Sequence, residues 1–258
     1  MRNRIVFFLT FVVATGCFAQ KSKDMLELKA KVMDVGLRSD SLGLVAVQNE
    51  LEPFIKNKKF AALAHYYTAF AKWQLSFLVT DRDALLKLGN DGLAHLEKAK
   101  TLKKNFADAY ALSYFCHSPL FRVYKQEQDW ARIGELAPKS DAMYQKALEL
   151  EPKNPRAMLA NAMDLFFTPE NRGGSQPKAI ALYKQALAIL EKQPSNESIQ
   201  PDWGLAIGYG WLGQAYLNLQ PAELEKAKAA CEKSLAVAPE LAFVKYMLLP
   251  RVEAQLKQ

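Results

Sequence analysis

Four segments of this 258-residue chain set a small residue at matching points of a helical pattern: Ala99, Ala147, Ala186 and Ser234. Their separations are 48, 39 and 48 residues, each a helix pair of roughly 34 residues plus an insertion. In three of the four, Tyr144, Tyr183 or Cys231 stands three residues earlier. A small residue lets two helix backbones approach, and a bulky one beside it fills the space between neighbouring pairs. A lone pair cannot bury its apolar face, so such units stack into a one-dimensional array. The insertions are expected in loops or lengthened helices.

The wider pattern supports this reading. Tyr209, Leu212, Gly213 and Tyr216 mark a first helix, and Ala227, Cys231, Ser234 and Pro239 its second. Upstream, Phe60, Leu63, Ala64 and Tyr67 are followed by Gly92, Leu96 and Ala99, then by Ser140, Tyr144, Ala147 and Pro152, then by Ala179, Tyr183 and Ala186. The pattern resembles the tetratricopeptide (TPR) repeat. The resemblance implies an all-α fold: an α-α superhelix, or TPR-like solenoid, of about four degenerate repeats over residues 57–240. Degeneracy is visible where Tyr114 occupies a small-residue position and where the third unit reads Met158, Asn161, Ala162, Leu165.

Tyr66, Phe70, Trp73 and Phe77 fall on one face of a long helix and read as core. Residues 22–56 read as two N-terminal helices, with Asp40 or Ser41 as N-cap. Residues 241–258 read as a capping helix interrupted at Pro250. Pro152-Lys-Asn-Pro-Arg156, Thr168-Pro-Glu-Asn-Arg-Gly-Gly174 and Pro201-Asp-Trp-Gly204 resemble elements of a group of exported bacterial TPR proteins without assigned activity. Each stretch also has a local reading. Asn154-Pro155 stops one helix and starts the next, the glycine pair permits a left-handed turn, and Trp203 staples onto the core; the 168–176 loop is alternatively a contact loop.

Arg2 and Arg4, an apolar-plus-Thr run from Ile5 to Ala14 and then small residues follow the order of a secretory signal peptide. The run is too short to span a bilayer. Cys17-Phe18-Ala19 before Gln20 offers signal-peptidase cleavage after residue 19, giving a periplasmic or secreted protein. Ala14-Thr15-Gly16-Cys17 offers a lipobox, with Ala where Leu is usual, giving a membrane-anchored lipoprotein acylated at Cys17. Either exit removes Arg2 and Arg4 from the formal net charge of +7.

The chemistry that would mark an enzyme is missing. Gly208-Tyr-Gly-Trp-Leu-Gly213 matches GxGxxG, yet no strand precedes it and the stretch reads as helix, so nucleotide binding is not expected. His65, His95 and His117 lack metal-ligand spacing. Cys116 and Cys231 read as buried free thiols, with a disulfide as the lesser alternative in an oxidising compartment. No nucleophile elbow, phosphate loop or paired-carboxylate motif appears. The lysine runs at Lys56, Lys58, Lys59 and at Lys98, Lys100, Lys103, Lys104 read as solvated faces. Export disfavours nucleic acid as their partner, and an anionic membrane or polysaccharide is the alternative.

The expected function is therefore a non-enzymatic scaffold, without metal or cofactor, that binds a protein or peptide in the bacterial cell envelope. The resemblance implies groove-facing positions at Lys58, His65, Asp108, Phe115, Arg156, Met163, Phe166, Gln214 and Asn218. Arg156 is expected to meet a carboxylate, Phe166 and Met163 an apolar anchor, and Gln214 and Asn218 a peptide backbone. The Lys and Asn clamp of chaperone-binding TPRs is not reproduced. The alternatives are a tethered lipoprotein that self-associates, and an enzyme with an unrecognised site.

Overall fold

A computed structural model describes the backbone of residues 3–193 and 198–257, with side chains from residue 20 onward. The leader and lipobox readings, Cys17 included, depend on side chains outside the described residues. Among the described residues there are helices and no strand. In order they are α1 (Asn3–Leu37), α2 (Ser41–Ile55), α3 (Ala61–Ser76), α4 (Arg82–Leu102), α5 (Ala107–Cys116), α6 (Ser118–Gln126), α7 (Trp130–Leu150), α8 (Pro155–Phe167), α9 (Gln176–Leu190), α10 (Leu205–Leu217), α11 (Leu224–Val237) and α12 (Leu249–Leu256), the last preceded by a π-helical turn at Phe243–Leu248.

Side-chain caps start many of these helices. Asp40 accepts from Gly43 N, Asp81 from Ala84 N, Asp129 from Arg132 N, Asn154 from Ala157 N and Ser175 from Lys178 N, each satisfying an otherwise orphaned amide. Asp40, rather than Ser41, is thus the cap of α2. Asn154 with Pro155 in the first turn opens α8, the helix-start role read from the sequence. Pro250 likewise lies in the first turn of α12, so the C-terminal segment changes winding there instead of ending.

The helices pack as pairs: α3 with α4, α5 with α7, α8 with α9 and α10 with α11, preceded by α1 with α2. First helices contact one another in the order α1, α3, α5, α8, α10 and form one face of the stack. The small residues Ala64, Ala99, Ala147, Ala186 and Ser234 are all fully buried. A Cβ on Gly213 would sit 3.2 Å from both Ala227 O and Cys231 Sγ, so glycine is what lets α10 lie against α11. Tyr67 and Tyr183 are fully buried beside these contacts; burying a side chain of this size contributes about 1.5–3 kcal/mol. Cys116 and Cys231 are buried free thiols.

The insertions take two forms. The one between Ala99 and Ala147 becomes α6, which packs on α4 and α7. The one between Ala186 and Ser234 lengthens the α9–α10 connection, residues 191–204, which makes no helix among its described residues. The shortest, between Ala147 and Ala186, falls at the loop after α8, where Gly173 adopts φ +101°.

Among the residues whose side chains are described, Met25, Leu28, Lys29, Val32 and Val35 dock α1 onto its neighbours. No helix among the described residues is long and apolar enough to cross a membrane.

Candidate functional site

The first-helix face divides into two parts. Across α1, α3, α5 and α8 it is covered by the chain's own residues 198–204. Lys29 Nζ of α1 donates to Ser198 O at 2.6 Å and pairs with Asp202 at 2.5 Å. Tyr67 OH of α3 donates to Ile199 O at 2.8 Å, and Lys103, just past α4, donates to Gln200 at 2.8 Å. Arg156 Nη1 of α8 donates to Trp203 O at 3.2 Å. The Trp203 indole enters a cage of Phe70, Trp73 and Phe115 with ring centroids 5.3–5.6 Å away, and its Nε1 donates to Tyr66 OH at 2.6 Å. Gly204, at φ +125°, then turns the chain into α10, a conformation that favours glycine. The 198–204 segment is a strap over the early repeats.

Beyond the strap the face is open and aromatic. Phe166 and Phe167 at the end of α8 stand edge to face at 4.9 Å, Phe167 meets Trp211 of α10 at 5.5 Å, and Trp211 meets Phe243 of the π-helical turn at 5.3 Å. Phe167 is 59% exposed, and the same C-terminal turn exposes Tyr246 and Met247 at 65% and 67%. Ile207, Trp211, Gln214 and Asn218 recur at helical spacing along one side of α10. Gln214 Nε2 donates to Asn218 Oδ1 at 2.6 Å, which holds a half-exposed amide pair beside the rings.

The nine residues anticipated for a groove separate accordingly. Met163, Phe166 and Gln214 lie on helices of the open strip, and Asn218 caps the end of α10. Asp108 and Arg156 meet each other at 2.5 Å, and Phe115 packs on Trp203. Arg156 and Phe115 are 3% and 2% exposed because the strap covers them. This corrects their placement on an open surface: the carboxylate Arg156 meets is internal. Lys58 and His65 line a different hollow, between α2 and α4. His65 is buried against α4, its Nδ1 sharing a 2.9 Å hydrogen bond with Nδ1 of His95. Phe167, Trp211 and Phe243 were missed. Their signal was the Phe-Phe pair ending a helix, one ring in and one out, and a Trp amid the small residues of α10.

Several titratable groups are displaced by burial. Burial holds His117 down to about 4. Burial first, and then the facing His65, hold His95 down to about 4. Burial and the neighbouring Asp164 raise Asp141 to about 6. Both imidazoles are therefore neutral in the fold, whereas an unfolded imidazole titrates near 6.5. Between about pH 6.5 and 4 the unfolded chain takes up protons that the fold refuses, so stability falls. Asp141 opposes this, since its folded carboxyl takes up a proton before an unfolded one, near 3.9, would.

Two imidazoles outweigh one carboxyl. The urea midpoint is expected to drop from pH 7 to pH 4.5, with His117 alone responsible for about 2–3 kcal/mol. In His117→Phe the drop should shrink by about that amount, and an unchanged pH profile would show that His117 titrates normally. Among the described residues no group of His, Cys, Asp or Glu could hold a metal ion.

Helix pairs stacked through small residues, with first helices forming one face, define the chain as a TPR-like α-α superhelix, an all-helical repeat fold. Among solved structures it is similar to the HusA haemophore from Porphyromonas gingivalis, at 22% identity over 74% of this chain and 90% of that one, with a TM-score of 0.63. It is also similar to a thermophilic TPR protein of Thermus thermophilus, at 19% identity over 89% of this chain and 100% of that one, with a TM-score of 0.57. No family model and no curated protein matches the chain.

Proposed function

We propose that this chain is an exported, non-enzymatic scaffold of the cell envelope that binds an extended peptide or a partner helix along the open strip. The observation that carries the reading is the row of rings Phe167, exposed, and Trp211 and Phe243, half-buried, spanning three successive inner elements beyond the strap. A monomer gains nothing by leaving such a row in water, and rows of this kind mark interaction sites. The rings supply an anchor of large area and low rotamer entropy. Gln214 and Asn218, on the same side of α10, supply amides for a partner's backbone, while Met163 and Phe166 form the apolar wall. The Asp108–Arg156 pair serves the strap and not the partner.

The test is photo-crosslinking from a benzoylphenylalanine placed at position 167 in the native envelope, followed by identification of the captured protein. Phe167→Ala with Trp211→Ala is expected to weaken that one complex by about 2 kcal/mol or more, roughly thirtyfold. Circular dichroism should remain that of the folded helical protein, with stability lowered by the lost packing of the half-buried Trp211. Undiminished binding by the double variant would remove the strip from the interface.

The likeness to a haemophore favours a second reading, in which the strip stacks a planar porphyrin instead of a peptide. It requires binding through ring faces, since His65 is buried and its Nδ1 is engaged by His95. Haem added to the same double variant separates the two ligands.

A further inference from the structure

A second hollow lies away from the strip, between the C-terminal ends of α2 and α4. Its volume is about 480 Å³, within the range of small-molecule sites. Ala61 and His65 of α3 form its floor, Ile55 and Leu102 its apolar walls, and Lys56, Lys58 and Lys98 its rim. Leu102 is 54% exposed, which is unusual for a leucine beside so much buried apolar surface.

The charge around the hollow is unbalanced. None of the three rim lysines has an ion-pair partner among the described residues. Glu97, the one carboxylate on the lining, is engaged with Lys100 at 2.6 Å. The C-terminal ends of α2 and α4 each contribute roughly half a negative charge. Three ammonium groups exceed that by about two charges. The floor adds no charge, since burial, and then Lys98, keep His65 below its usual range, and its Nδ1 is already bonded to His95.

An inorganic anion would satisfy the rim and leave Ile55 and Leu102 in water, and a neutral apolar molecule would do the reverse. We propose that this hollow binds a small amphipathic organic anion, its apolar body on Ile55, Ala61 and Leu102 and its acid group among Lys56, Lys58 and Lys98. The site is independent of the aromatic strip in both position and ligand chemistry.

The experiment follows anilinonaphthalene sulfonate fluorescence on the full chain, with dodecanoate as competitor. Dodecanoate is expected to displace the dye, whereas dodecanol and dodecyltrimethylammonium at the same concentration are not. Lys58→Glu with Lys98→Glu should weaken dodecanoate at least about tenfold, and added salt should weaken it further. Leu102→Asp should weaken it through the apolar wall. These positions are exposed at the wall and rim, so circular dichroism of the variants should match wild type. Phe167→Ala with Trp211→Ala should leave dodecanoate binding unchanged. The proposal is overturned if the lysine variant binds as wild type, or if the strip variant alone loses binding. It is equally overturned if phosphatidylglycerol vesicles retain the chain through these lysines while free dodecanoate does not bind, which would assign the rim to a membrane surface.

Discussion

Trp203→Ala is expected to cost about 3–5 kcal/mol of stability, the range for deleting a large aromatic from a packed interior. The indole is 6% exposed and stands among Phe70, Trp73 and Phe115, so its removal leaves a hollow that three rings from two helices would have to collapse to fill. Tyr66, fully buried, would lose the partner of its hydroxyl. The strap would lose its one aromatic anchor and keep the half-buried Ile199 with polar contacts to Lys29, Tyr67, Lys103 and Arg156. With total stability of an ordinary domain at about 5–15 kcal/mol, this is a large share.

The measurement is a urea unfolding curve followed by far-ultraviolet circular dichroism, with the midpoint lowered and the slope unchanged. Trp203→Phe separates the causes: it keeps most of the packing and loses the Nε1 bond, so a loss of about 1–2 kcal/mol is expected. A Trp203→Ala loss under about 1 kcal/mol would mean that the strap does not hold the early repeats together.

The strap also explains how far the sequence could be read. The helix pairs were legible because their signal is local: Tyr144 with Ala147 and Tyr183 with Ala186 lie within one turn, and the register repeats. The positions of the insertions were legible too, but not their contents. One became α6, and the other became the strap, whose contacts span 137 residues to Tyr66 and 173 to Lys29. No periodicity reports pairings at that separation. Trp203 read correctly as a core staple, though not as the anchor of a segment crossing four first helices.

The counting of groove positions is limited for the same reason. It placed Asp108, Phe115 and Arg156 on one face, and they are indeed gathered under one segment, but counting along a repeat cannot show that the chain covers that face itself. In the first unit it placed Lys58 and His65 inward, whereas His65 turns to His95 of α4. On the open strip, Phe166 was named and its neighbour Phe167 was not. The two differ by about a hundred degrees around α8, and the degenerate third unit leaves that register ambiguous.

The ion pair beneath the strap carries the other large expected effect. Asp108 and Arg156 have side chains 14% and 4% exposed and meet at 2.5 Å. Asp108 Oδ1 also accepts from Asn154 Nδ2 at 2.9 Å, and Asn154 in turn caps α8 through Ala157 N at 2.9 Å. The pair therefore ties the start of α8 to α5 and to the strap carbonyl of Trp203. Asp108→Ala leaves a buried guanidinium without its counter-charge, for which about 3–5 kcal/mol is the expected loss. Arg156→Met leaves the carboxylate with Asn154 alone and frees the strap carbonyl, so a loss of similar size is expected.

The double variant Asp108→Ala with Arg156→Met should lose clearly less than the two single losses together, because no uncompensated charge remains. The coupling in this double-mutant cycle is expected to be about 2–3 kcal/mol. Urea midpoints for the four proteins at one pH decide the matter. Additive losses would mean that water reaches the pair and each partner acts alone, whereas strong coupling would show that the early half of the face is sealed by the chain itself, leaving the aromatic strip as its open half.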